Sequence, residues 1–127
     1  MRDLHKGESI TTAREKTREE LLLGGLGDWV HLYQVHYHVQ KNHPGFTVEQ
    51  VKTETLDTIR SLVTDGLFTV GDLSGPNGSF AAWDIPLEES IKRISNAYID
   101  QFDDETAWTW VFWLALTDKG RHAAAAI

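Results

Sequence analysis

The sequence predicts an α+β domain: three helices, a small antiparallel sheet and an additional helix. Three observations carry this prediction. Residues 11–64 hold three apolar-periodic stretches separated by glycine or proline. Residues 67–83 read as two short β-rich runs around a turn-rich centre. A further amphipathic stretch with Pro86 at its start precedes an aromatic segment at 108–116. At 127 residues the chain suits one domain spanning 1–127 and buries roughly two thirds of the surface an unfolded chain exposes.

In the first helix, TAREKTREELLL, Thr11 or Thr12 is the candidate cap and Leu21, Leu22 and Leu23 bury the end. Gly24, Gly25 and Gly27 then read as a joint between helices. Without a following Lys-Ser or Lys-Thr they do not make a phosphate-binding loop. The second helix is expected over about Asp28 to Asn42, with Asp28 as cap. Leu26, Val30, Tyr33 and Tyr37 form one stripe, and Leu32, Val35 and Val39 an adjoining one, which predicts a central helix. His31, Gln34, His38 and Lys41 take the remaining face. The third helix carries the clearest start: Thr47 and Gln50 are spaced as a capping box, and Phe46 and Val51 as a hydrophobic staple. Val48, Val51, Thr55, Ile59, Leu62 and Val63 mark its buried side, and Gly66 suits the left-handed residue after it.

Leu67–Val70 and Phe80–Trp83 are the expected strands, joined by a loop longer than the tightest hairpins. Pro86 fits a helix first turn, with Glu88 and Glu89 at its positive end. Leu87, Ile91, Ile94, Tyr98 and Phe102 form its apolar stripe. Segment 108–116 reads either as a strand, from its aromatic and β-branched content, or as a buried helix.

Three helices, then Asp65-Gly66-Leu67 opening a strand, then a later strand running into Leu116-Thr117-Asp118-Lys119-Gly120-Arg121: this order resembles the winged helix-turn-helix superfamily, especially its small bacterial regulators. The resemblance extends loosely over about residues 11–123. It implies a winged-helix-like three-helix core, with helix 47–64 in the recognition-helix place; the acidic helical insertion at approximately 72–108 departs from the family pattern, in which a simple wing is shorter. It also implies DNA contacts from Gln50, Lys52, Thr53, Arg60 and Ser61, with Thr58 beside them. Glu49, Glu54 and Asp57 lie among them and repel phosphate.

Composition weighs toward another partner. The net charge is −7, yet residues 1–23 are neutral, with five bases and five acids. Residues 68–105 hold eight acids and two bases, a net −6. Absence of cysteine removes disulfides, thiolate nucleophiles and thiolate metal sites. No apolar run approaches the roughly 20 residues of a membrane span, and the first residues hold no signal-peptide core, so cytoplasm is the default expectation. His36 and His38 point about 160° apart on a helix, and neither they nor the other histidines form a local chelate, so no metal is assigned. No cofactor motif, hydrolase elbow or zinc-protease helix is present. Paired acids at 19–20, 88–89 and 103–105 read as solvated faces. The five tryptophans are the sharper signal: either a core of large side chains, or an aromatic surface with an acidic rim. On the second view Asp103, Asp104, Glu105, Trp108 and Trp110 form a protein-interaction surface. Read as a strand, Trp108 and Trp110 share one side. Such a surface suits an inhibitor or immunity-like protein facing a basic partner, or self-association. DNA remains the alternative.

Overall fold

The computed structural model describes the backbone of residues 2–127 and the side chains from Ala13 onward. The expected α+β class is what it shows: helices with a four-stranded antiparallel sheet, consistent with a winged-helix-like arrangement. In chain order the elements are α1 (Arg2–Gly27), β1 (Val30–His31), α2 (Leu32–Asn42), α3 (Val48–Thr64), β2 (Phe68–Asp72), β3 (Ala81–Ala82), α4 (Leu87–Tyr98), α5 (Glu105–Thr109), β4 (Trp113–Leu116) and α6 (Asp118–Ala125). The sheet is antiparallel, in the order β1–β4–β2–β3. The last strand in sequence therefore sits second in space, and β3, α4 and α5 lie between the two central strands along the chain.

The third helix follows its sequence signals. Thr47 Oγ1 accepts from Gln50 N at 3.2 Å, and Gln50 Oε1 accepts from Thr47 N at 2.8 Å. Gly66 adopts φ +74° after its C-terminus, where an L side chain is strained. Its buried side is Val51, Lys52, Thr55, Thr58, Ile59 and Leu62, whereas Val48 is exposed.

The first two helices differ from expectation. The glycines do not interrupt α1, which runs through Gly27. Leu21 and Leu22 are buried, and Gly25 lies so close to Phe68 and Leu116 that packing outweighs its poor helix propensity. The cap expected at Thr11 or Thr12 falls among side chains outside the described residues, and the helix passes through both positions. Helix α2 begins at Leu32 rather than Asp28, because Val30 and His31 pair with Leu114 and Trp113 of β4. Gln34 Oε1 accepts from His31 N at 2.9 Å and closes the new N-terminus. The Leu32, Val35 and Val39 stripe is buried, together with His36. The Leu26, Tyr33 and Tyr37 stripe is open to solvent.

Helix α4 buries Ile91, Ile94 and Tyr98 as expected. Segment 108–116 is neither wholly strand nor wholly helix. Trp108 and Thr109 end α5, and only Trp113–Leu116 form β4. Thr117 caps α6, accepting from Gly120 N at 3.0 Å.

The sheet has two unlike faces. Val30, Phe68, Val70 and Leu114 point into the core and are buried. The alternate residues His31, Thr69, Gly71, Trp113 and Ala115 share the outer face, as the two-residue period requires. No helix among the described residues is long and apolar enough to cross a membrane.

Candidate functional site: an aromatic outer sheet face

The small residues of the outer face make room for large rings. A Cβ on Gly71 would stand 2.2 Å from Ala81 O and 2.7 Å from Phe80 Cζ, so the Phe80 ring occupies the space above Gly71. Trp29 meets Phe80 with ring centroids 6.4 Å apart. At the other end His31 lies 4.6 Å from Trp110 and 5.4 Å from Trp113, and the two indoles are 5.5 Å apart. Trp113 and His31 are direct cross-strand partners. Trp110, on the turn between α5 and β4, is 55% exposed, the highest value among the large apolar side chains described. Burial lowers the His31 pKa and Asp28 opposes that effect, so the ring is neutral at pH 7.

The acidic turn lies close in sequence to this face. Asp103, Asp104 and Glu105 are exposed, and Glu105 opens α5, the helix that leads to Trp110. No Lys or Arg occurs from Ile94 to Asp118.

Trp108 is corrected. It is 1% exposed, and its Nε1 donates to Phe102 O at 2.9 Å. Because residues 105–109 are helical, it does not share a strand face with Trp110; it turns into the core while Trp110 stays outside. Its ring stacks on Phe102 at 5.4 Å and 9°, and meets Tyr98 and His36. Trp29, His31, Phe80 and Trp113 join Trp110 instead. Their signal in the sequence was parity with small partners on neighbouring strands, which becomes visible only once the strand register is known.

The residues expected to contact DNA do not form a basic strip. Gln50 and Thr53 are exposed, but they line a cleft of about 330 Å³ with Phe46, Glu49 and Glu54, which contribute two carboxylates and no base. Lys52 is corrected: it is buried, with Nζ 4.1 Å from the Phe102 ring centre and 3.4 Å from Glu49. Arg60 is held between Asp57 and Glu88, each at 2.8 Å. Ser61 accepts from Arg18 at 2.8 Å and donates to Thr58 O at 2.9 Å. Arg14 forms a two-bond pair with Glu54 at 2.6 and 2.7 Å. The β2–β3 hairpin carries no Lys or Arg.

His36 is buried. Its Nδ1 lies 2.5 Å from the Tyr98 hydroxyl, and Phe102, Trp108 and Tyr33 surround the ring. Desolvation lowers its pKa below 6.5, and the charge of Lys52 acts in the same direction. Burial also holds the Tyr98 phenol well above its ordinary pKa. His36 therefore stays neutral and hydrogen-bonded. The unfolded chain binds this proton near pH 6.5 and the folded chain only at lower pH, so stability falls as pH drops from 6.5 through the folded value. Urea midpoints of the wild type should decline across this window, and His36→Gln should flatten the decline, leaving a residue from His31. Parallel profiles between pH 5 and 8 would reject this account.

Among the described residues no three His, Asp or Glu side chains gather at metal-binding distance. Comparison with known proteins finds no matching family model, no similar curated protein and no similar solved structure.

Proposed function

We propose that this chain is a non-catalytic protein-interaction domain on a winged-helix-like scaffold, binding a basic partner in the manner of an inhibitor or immunity-like protein. The observation that carries this reading is the outer sheet face, where Trp110, Trp113, Trp29 and Phe80 stand at least partly open to solvent. Partly exposed tryptophans on a rigid sheet are the usual anchors of protein interfaces. The exposed carboxylates of Asp103, Asp104 and Glu105 add a long-range attraction for a positively charged surface.

The alternative, a winged-helix DNA-binding regulator, draws on the order of elements and on the Asp65–Leu67 and Leu116–Arg121 segments. Against it stands the pairing of Arg14, Arg18, Lys52 and Arg60 with carboxylates on or beside α3. Phosphate binding would have to displace those carboxylates before releasing any counterions.

Crosslinking and pull-down of the full chain identifies the partner, and its association kinetics then test the reading. The triple change Asp103→Asn, Asp104→Asn, Glu105→Gln should slow association at low salt by about tenfold, with a smaller effect at high salt. Association rates equal to wild type at low salt would remove the acidic turn from the interface. A random-sequence duplex should show no salt-dependent binding. Tight binding that weakens steeply with salt would favour the DNA alternative.

A further inference from the structure

Other rings in this protein already carry cations of their own. Arg93 lies over Trp83 with its guanidinium carbon 4.5 Å from the ring centre. Lys52 sits 4.1 Å over Phe102, and Lys41 lies 5.9 Å from Tyr37. Trp110 is more exposed than any of these rings, and among the described residues no cation covers it. It rests against His31 and Trp113, with ring centroids 4.6 and 5.5 Å away. More than half of the Trp110 side chain therefore remains accessible to a partner.

The two ends of the aromatic face differ in charge. Arg121 lines the cleft of about 260 Å³ beside Trp29, so that end has a base at hand. The Trp110 end has none between Ile94 and Asp118 in sequence, and it follows three exposed acids. Asp28, also exposed, lines the same cleft as Arg121 and faces that base's end of the sheet. Charge complementarity thus points to a cation, and a flat platform favours a flat one. A guanidinium stacks on indole and is more weakly hydrated than an ammonium.

We infer that Trp110, backed by His31 and Trp113, is the seat for an arginine side chain of the basic partner. This rests on the protein-interaction reading and specifies its central contact. Arginine stacks on the exposed indole, while the carboxylates of the 103–105 turn attract the partner's charge. A lysine at the same place loses the stacking part of the contact.

The test uses the full chain labelled with ¹⁵N and three short capped peptides alternating glycine with arginine, lysine or glutamine. Indole Nε1–H shifts report each tryptophan separately. The arginine peptide should move the Trp110 and Trp113 signals saturably, bind about three- to fivefold more tightly than the lysine peptide, and leave the buried Trp108 signal in place. The glutamine peptide should do nothing. Trp110→Ala should abolish the Trp113 shift, whereas Trp29→Ala should retain the Trp110 shift. A urea midpoint near wild type confirms that each variant is folded.

If arginine and lysine peptides bind equally and move only the 103–105 amides, the arginine seat is wrong and the basic-partner reading survives. If no peptide gives a saturable indole shift, the seat is overturned. If the Trp110 signal instead moves on simple dilution of the protein, the occupant is a second copy of this chain and the inference fails.

Discussion

Trp108→Ala should lower stability by about 3–5 kcal/mol, a large share of what a domain of this size holds in reserve. Trp110→Ala, two residues away, should change it by less than about 1 kcal/mol. The contrast follows from the end of α5. Trp108 is enclosed by Phe102, Tyr98, His36 and Tyr33, which come from α2, α4 and the turn after α4. Removing it opens a cavity at the point where α4 and α5 meet α2. It also frees the Phe102 carbonyl from its indole donor. Trp108→Phe keeps most of the packing and loses that hydrogen bond, so its midpoint should fall between alanine and wild type. Urea denaturation of the three variants under one condition decides the matter. Equal midpoints for Trp108→Ala and Trp110→Ala would mean that the short helix and its inward tryptophan are misplaced.

The same pair of tryptophans shows where the sequence stops being legible. The apolar run at 108–116 has no clear period, because a five-residue helix and a four-residue strand share it. Neither is long enough to impose its own repeat. Helix α3 was readable because its boundary chemistry is local: Thr47, Gln50 and Gly66 act on their own neighbours. The stripe of α4 was readable because one face meets one core. The start of α2 was not. Val30 and His31 are drawn into a sheet by β4, more than eighty residues later in the chain, and no local signal announces that pairing. Lys52 misled for a related reason. Its position suits an exposed helix face until α5 and the preceding turn bring Phe102 over it. Of the expected interaction surface, the acids at 103–105 and Trp110 are exposed, and Trp108 is not. The rest of that face depends on strand register and on the small residues Gly71 and Ala115, which carry no signal by themselves.

Glycines give the second large effect, and its sign depends on the neighbour. Gly120→Ala should destabilise by about 1–3 kcal/mol, although alanine is the better helix former by about 1 kcal/mol. A Cβ at Gly120 would stand 2.1 Å from Leu67 O and 2.8 Å from Leu116 Cδ2. The Leu67 carbonyl has little freedom to retreat, since it accepts from Thr117 N at 3.1 Å. Thr117 in turn caps the helix through Gly120 N. The segment Leu116–Arg121 therefore has a physical reason for its glycine: Gly120 lets the first turn of α6 rest against the backbone entering β2. Gly24 makes the opposite case. It lies within α1, and a Cβ there would meet nothing within 4 Å, so Gly24→Ala gains helix propensity at no steric cost. It should raise stability by up to about 1 kcal/mol. Thermal or urea midpoints of the two variants should move in opposite directions. A stabilised Gly120→Ala would place α6 away from Leu67 and undo the packing that joins the last helix to the sheet. A destabilised Gly24→Ala would break α1 at its glycines, where the sequence first put a joint.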